Sequence, residues 1–423
     1  MTCKQVLTAG LLLALTGSAG GGEFMSFRGP AGTGISDEKG VPTSWGPDKN
    51  IKWKTPLPGP GNSSPIVVGK RVFVTCASDG GKDRGLYCFD RNGGRQVWSQ
   101  VVRFESEDPT HQTNPYCGSS PASDGRRIVA WHGSAGLFCY DLEGNELWSR
   151  DLGAFRHIWG YGSSPVFHEA TGAILLNCGP GKRTFVTAID ADTGETIWQV
   201  DEPGGDEGQE TPGEKPIWVG SWSTPVLATV DGREQVIVSL PRHVQGYDPR
   251  TGEVLWSCDG LGDLVYTSCL VEGPMAVAMG GYHSPAIGFK LGGSGNITET
   301  NRLWHVAERN PQRIGSGVII DRHVYMANAD GVAQCLELAT GKEIWKDRLP
   351  GGGVWGSILA AEDRLYVTNQ AGTTHVFAPN AEKLELLASN DLGEPSNSTP
   401  ALSDGQIFLR TFGHVYCVEE SSR

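Results

Sequence analysis

Several short strings in this chain carry residue types that do chemistry when they stand in the right context. Gly351-Gly352-Gly353-Val354-Trp355-Gly356 has the G-x-G-x-x-G spacing. That spacing lets backbone amides approach a pyrophosphate, a use that needs a strand before the glycines and a helix after them. The flanking residues do not supply that context. Gly181-Lys182 and Gly341-Lys342 lack the Ser or Thr that follows a phosphate-loop lysine, and His168-Glu169 lacks the second histidine of a zinc protease. No G-x-S-x-G nucleophile string occurs. Asp190-x-Asp192-x-Gly194 has the opening spacing of a calcium loop, but its recurrence along the chain makes it a hairpin turn. The acidic run Asp201, Glu202, Asp206, Glu207, Glu210 and Glu214 reads as a solvated loop rather than a cation site. No catalytic residue and no metal ligand is assigned.

Aromatic residues form a second set. Tyr116, Trp159, Tyr161, Trp222, Tyr266 and Trp355 stand just before strand-like runs, and His111, Arg156, His157 and Arg313 lie close to them in sequence. Pointing inward, they would make an aromatic funnel with some cationic groups, suited to a peptide, a glycan or an aromatic ligand. Pointing sideways, they would fill gaps between neighbouring repeats. Both arrangements are open at this level.

The elements that must position these residues come from a repeat. Trp53, Trp98, Trp148, Trp198, Trp256, Trp304 and Trp345 recur every 41 to 58 residues, most of them after an aliphatic residue. Ahead of several sits one hairpin, complete as Ala188-Ile189-Asp190-Ala191-Asp192-Thr193-Gly194 and echoed at Asp90, Asp141 and Asp248. An Asp that can bond turn amides and a Gly at the left-handed position specify a tight connection between two strands. Earlier in each unit comes Ser63-Ser64-Pro65, Ser119-Ser120-Pro121, Ser163-Ser164-Pro165, Ser223-Thr224-Pro225 or Ser398-Thr399-Pro400. Proline cannot donate to a ladder and so belongs on an edge strand. Middle strands are expected over 71–75, 127–130, 174–177, 235–239, 323–327, 364–369 and 406–410. Four antiparallel strands in about 50 residues is the repeat of a propeller blade.

The spacing predicts an all-β, eight-bladed β-propeller. Seven blades run from 61 to about 389. The eighth is composite, with three strands from 396–418 and a Trp arm from Ile51-Lys52-Trp53, which closes the ring and removes its open edge. Blade 5 has Lys290 in place of the Asp, and blade 7 has Leu387 near the Trp position. Long connections, 99–115 and 199–219 above all, gather on one face, where binding is expected.

The string Ala-x-Asp-x-x-Thr-Gly-x-x-x-Trp at 188–198 resembles the repeat of the pyrroloquinoline quinone (PQQ) propeller family, which holds quinoprotein dehydrogenases and BamB-like propellers of outer-membrane assembly. Phe27-Arg28-Gly29-Pro30, Pro42-Thr43-Ser44-Trp45 and Ile51-Lys52-Trp53-Lys54 resemble secreted PQQ-like propellers of planctomycete-type bacteria. For a dehydrogenase the resemblance implies a vicinal Cys-Cys ring over PQQ, acidic and amide ligands for calcium, and an Asp base. No adjacent Cys pair occurs, and no calcium set matches. The expectation is therefore a non-catalytic binding or assembly scaffold without a cofactor. A PQQ- and calcium-dependent dehydrogenase and a carbohydrate-binding propeller are the alternatives.

Composition narrows the rest. Lys+Arg 35 against Asp+Glu 48 gives a net charge of −13, which argues against a protein held on nucleic acid by phosphate neutralisation. A basic start, an apolar run and small residues make 1–22 a signal peptide. An extension (23–49) then precedes the propeller (50–423). A protein or glycan partner, a monomeric state and export to the periplasm or the extracellular space are expected, with no transmembrane segment in the mature chain. Cys88, Cys139, Cys335 and Cys417 share one repeat position, held by Ala188 in blade 3 and Gly246 in blade 4, and read as small buried apolar residues. Cys76, Cys117, Cys178, Cys258 and Cys269 lie off the repeat, and one disulfide among them is open.

Overall fold

The computed structural model describes residues 22–206 and 218–420. The expected signal segment falls almost wholly outside the described residues, as do Glu207, Glu210 and Glu214 of the acidic run. The described residues form eight four-stranded antiparallel blades around a central channel. In blade 1 the order from axis to rim is Ile66–Val68, Arg71–Ser78, Asp83–Asp90 and Gln96–Arg103. Blade 8 is composite as expected. Ala401–Ser403, Gln406–Arg410 and His414–Glu419 are completed by Ile51–Pro56, with Trp53 opposite Cys417. Among the described residues, no helix is long and apolar enough to cross a membrane.

Burial explains the strand patterns. A second strand is covered on both faces by neighbouring blades, so it reads as a continuous apolar run; six central residues of Arg71–Ser78 are buried. An outermost strand meets its neighbour at a single point, and Glu343–Arg348 buries only Trp345. The turns follow the expected chemistry. Asp190 Oδ1 accepts from the backbone N–H of Asp192 (2.9 Å) and Thr193 (2.8 Å), and Gly194 stands at φ 73°. Asp190 is thus spent on its own turn.

The repeated tryptophans join one blade to the next. The indole N–H of Trp53 donates to Arg91 O in the turn of blade 1 (2.7 Å). Trp98 donates to Leu142 O (3.0 Å), Trp148 to Ala191 O (3.0 Å) and Trp198 to Pro249 O (3.0 Å). Trp304 reaches Leu338 O (2.8 Å) and Trp345 reaches Asn380 O (2.9 Å). The turn glycine lies under the docked ring: a Cβ on Gly94, Gly144, Gly194, Gly252 or Gly341 would stand 2.5–2.7 Å from it. Across the ladder each tryptophan faces a small residue, Cys88, Cys139, Ala188, Gly246, Gly288, Cys335 or Cys417. That accounts for the repeat cysteines. All nine described cysteines are buried thiols, including the five off-repeat ones.

The two degenerate blades follow from the same docking. Blade 5 lacks the Asp turn, and Trp256 turns inward to donate to Gln235 Oε1 at 2.7 Å and pack on Phe289. In blade 7 the tryptophan position is Ala388, one residue beyond Leu387, and its cross-strand partner is the larger Val376. Blade 8 has no hairpin turn to receive an indole there, because its outermost strand comes from the N-terminal side. Trp45 of the extension is buried in the core shared by blades 7, 8 and 1, and its backbone N–H donates to Asn390 Oδ1 at 2.9 Å.

The extension does more than lie over the propeller. Phe24 pairs with Val67 of blade 1, and Ser123 of blade 2 donates to Met25 O at 2.8 Å. Arg28 donates to Gly317 O of blade 6, and Ile35–Ser36 adds a parallel strand to Leu359–Ala361 of blade 7. Contacts with inner strands on several sides place this segment across the channel.

Ring closure is fastened by Glu394. Its carboxylate accepts from Lys54 Nζ (2.7 Å), Thr411 Oγ1 (2.7 Å) and Tyr416 OH (3.0 Å), and it meets His414 Nδ1 at 2.8 Å. Partial burial pushes this carboxyl up, but the bonds outweigh it and hold it down at about 2. A depressed carboxylate contributes stability that is full above its unfolded pKa, about 4.5, and fades as pH falls toward about 2. Chemical denaturation across pH 5 to pH 2.5 will show a steeper loss for the wild type than for Glu394→Gln. Trp198→Ala, which removes a buried ring and its docking bond, will cost about 3–5 kcal/mol in the same assay.

Candidate functional site

A cavity of about 360 Å³ opens at the channel mouth. Its lining comes mostly from residues that immediately precede the inner strands, where the long inter-blade connections arrive. This is the face on which binding is expected.

The floor of the mouth is a closed ring of hydrogen bonds. Ser64 N–H donates to Ser120 Oγ (2.8 Å), Ser120 to Ser164 (3.0 Å), Ser164 to Thr224 (3.0 Å) and Thr224 to Ser268 (3.1 Å). Ser268 donates to Ser316 (2.9 Å), Ser316 to Ser357 (2.9 Å), Ser357 to Thr399 (2.9 Å), and Thr399 back to Ser64 (3.1 Å). Each blade thus gives a backbone N–H to a hydroxyl of the next. Sequence reading found five of these positions through the proline that follows them. It missed Ser268, Ser316 and Ser357, which precede Cys269, Gly317 and Ile358. The signal was the hydroxyl, not the proline.

Five of the ten candidate residues line the cavity: His111, Trp159, Trp222, Tyr266 and Trp355. Trp222 anchors this group. Its indole N–H donates to Gly160 O at 2.8 Å, and its ring meets Tyr266 edge-on at 5.1 Å and Trp159 at 6.2 Å. The other five stand behind or beside the lining. His157 is buried against Trp159 and Trp222, and burial pushes its imidazole down to about 4, so it is neutral at pH 7. Tyr161 packs on Trp131 at 5.1 Å in a seam between blades. The Tyr116 hydroxyl donates to Asp108 O at 2.7 Å, and its ring covers Arg84. Arg156 donates to Glu107 O at 2.6 Å. Arg313 is 4% exposed and donates to Asn310 Oδ1 at 3.1 Å. Inward and sideways aromatics therefore both occur.

Further lining residues escaped the sequence reading. Asn62 and Asn397 both donate to Thr113 O, at 3.0 Å and 2.8 Å, and Asn114 Nδ2 donates to Trp159 O at 2.7 Å. These amides tie the long connection between blades 1 and 2 to the rim. Phe27 reaches the cavity from the extension and Tyr282 from a loop of blade 5. No periodicity marks either residue.

Among the described residues, no Lys, Arg, Asp or Glu side chain lines the cavity. No three His, Cys, Asp or Glu side chains come together anywhere among them to hold a metal ion. The lining thus offers amides, hydroxyls, aromatic faces and the imidazole of His111, whose Nδ1 lies 2.7 Å from Thr113 Oγ1. Among the described residues it has no carboxylate for calcium and no adjacent cysteines, so PQQ with calcium does not fit these residues.

A family model described as "Outer membrane protein assembly factor BamB" matches residues 35–116, 182–311 and 329–421. Among solved structures, BamB from Moraxella catarrhalis is similar at 13% identity and a TM-score of 0.59, covering 88% of this chain and 98% of that one. Quinohemoprotein alcohol dehydrogenase from Comamonas testosteroni is similar at 13% identity and 0.63, covering 95% and 81%. The C-terminal WD40 domain of Sif2 is similar at 10% identity and 0.59, covering 88% and 99%. An assembly factor, an oxidoreductase and a WD40 domain share this architecture, so these likenesses speak for the fold and not for an activity. No curated protein sequence matches the chain.

Thr224→Val tests the ring. It keeps the shape but leaves the Ser164 N–H without its acceptor, which will cost about 1–3 kcal/mol in guanidinium unfolding. An exposed control such as Thr193→Val, in the turn of blade 3, will cost less.

Proposed function

The chain belongs to the family described as outer membrane protein assembly factor BamB, and from that premise we propose that it is an exported, non-catalytic binding propeller. It receives its ligand or partner segment in the channel mouth on the long-connection face and works as a monomer in the periplasm or outside the cell. One observation carries this reading: Trp159, Trp222, Tyr266 and Trp355, from four different connections, converge on one cavity. Aromatic walls with a few polar groups are the usual make-up of a small-ligand site. The rigid ring beneath holds them without a ligand, which lowers the ordering cost of binding. The family's description favours assembly or binding outside the cytoplasm. Against the dehydrogenase alternative stands the lack, among the described residues, of a carboxylate in the lining to hold calcium.

Two measurements test the reading. Calcium and PQQ added to the purified protein will give no stoichiometric quinone absorbance change; stoichiometric uptake would replace the scaffold with a quinoprotein. Screening immobilised protein against glycan and peptide panels will yield ligands whose affinity falls at least tenfold in Trp159→Ala and Trp355→Ala. Hits indifferent to both variants would move the binding site elsewhere.

A further inference from the structure

Six arginines are buried among the described residues: Arg28, Arg84, Arg91, Arg127, Arg313 and Arg410. Three have a carboxylate. Arg84 meets Asp108 at 3.0 Å, Arg91 meets Asp404 at 3.0 Å and Arg127 meets Asp124 at 2.8 Å. The other three have none. Arg28, 1% exposed, donates only to the carbonyls of Thr33 and Gly317, leaving Nε and Nη1 without an acceptor. Arg313 leaves Nε and Nη1 unpaired, and Arg410, 1% exposed, leaves Nε and Nη2.

Each of these three lies next to a lining residue, in the chain or by contact. Arg28 follows Phe27, which lines it; Arg313 sits between Gln312 and Ile314, which line it. Arg410 donates to Ser63 O and lies against Gly61, on either side of the lining residue Asn62. Burial lowers Arg28 to about 9 and Arg313 to about 10, so both remain cations at pH 7. A buried cation without a counter-charge is costly. An anion taken into the mouth would offset part of that cost, although the whole chain carries −13. The distant surface charge is screened over roughly 8 Å in physiological salt. The floor adds donors. Ser164, Thr224, Ser268, Ser316, Ser357 and Thr399 border the cavity. Each accepts one N–H, and among the described residues none of their hydroxyls donates to a protein atom.

We infer that the cavity binds a carboxylate carried on a sugar ring, the uronic-acid end of an acidic glycan, with the carboxylate toward the hydroxyl floor and the ring between the aromatic walls. This rests on the channel-mouth reading above and adds the ligand's class to it. A ring rich in hydroxyls is favoured over an aromatic acid because polar groups remain uncommitted around the walls. Among the described residues, the indole N–H groups of Trp159 and Trp355, the Gln312 amide and the Tyr266 and Tyr282 hydroxyls have no hydrogen-bond partner. The size, about 360 Å³, lies near the lower end for small-ligand sites and suits the end of a chain rather than a folded partner.

Titration calorimetry on the full chain tests this with digalacturonic acid, its dimethyl ester and the tripeptide Gly-Gly-Tyr. The acid is expected to bind at least tenfold tighter than the ester. Arg28→Gln and Arg313→Gln should each weaken the acid at least fivefold while leaving the ester unchanged. The acid–ester comparison uses unaltered protein, so a variant that fails to fold does not block the test. Ester binding as tightly as acid overturns the charge selection but keeps the channel mouth as a glycan site. Tripeptide binding lost in Trp355→Ala, with neither sugar bound, overturns the glycan assignment and keeps the site. Equal weakening of acid and ester by both arginine variants assigns the arginines to structure and overturns the inference. Binding by none of the three, with panel hits indifferent to Trp159→Ala and Trp355→Ala, overturns the inference and the channel-mouth reading together.

Discussion

An indole docked on its neighbour's turn is the interaction from which the rest of this molecule follows. The ring must lie flat on a backbone turn, so the turn needs glycine. Its N–H must reach a carbonyl of that turn, so the turn must be a short, defined one. It must leave its own blade at an angle, so the residue across the ladder must be small, and Cys, Ala or Gly stands there. A single tryptophan thereby sets conditions on three distant positions. Where the receiving turn is lost, as at Trp256, the indole turns inward. Where no hairpin turn exists to receive it, as between blades 7 and 8, the tryptophan is replaced by Ala388 and the facing residue grows to Val376.

The hydroxyl ring is the inner counterpart of this outer circuit. Inner strands splay around a channel and cannot pair with one another along their length. One N–H per blade at the mouth would otherwise lie buried and unsatisfied, and a Ser or Thr of the next blade accepts it. Each bond contributes a net ~1 kcal/mol at most, yet each lost one would leave a buried donor. Indoles toward the rim and hydroxyls at the axis hold the blades at two radii. That rigidity lets residues some 50 positions apart face one cavity without a ligand to organise them.

The extension changes what the channel can be. With 24–36 drawn across it, the mouth has a floor, and Phe27 contributes to it. The same segment brings Arg28, whose guanidinium donates to Gly317 O of blade 6. A lining without Lys or Arg, next to buried arginines with unpaired guanidinium nitrogens, differs from a site that grips an anion by direct salt bridges. It biases the charge of whatever enters while leaving orientation to aromatic faces and hydroxyls.

The blade count, the strand order within each blade, the Asp turns and the closure by Ile51–Pro56 were legible along the chain. The first three depend on residues within about 50 positions of one another, and the repeat displays those relations blade after blade; the closure, between residues more than 350 positions apart, was legible because the last unit lacks the Trp arm that Ile51–Pro56 supplies. The mouth was half legible: Trp159, Trp222, Tyr266 and Trp355 could be marked as candidates, but nothing local separated them from Tyr161, whose ring turns into a seam. The direction of a side chain at the start of an inner strand depends on the neighbouring blade, a long-range matter. Ser268, Ser316 and Ser357 were masked because the proline beside their counterparts is absent. The threading of the extension, and the lack among the described residues of a carboxylate paired with Arg28, Arg313 or Arg410, were decided only when the ring closed. Burial and pairing are properties of a three-dimensional neighbourhood, and a chain without a fold has none.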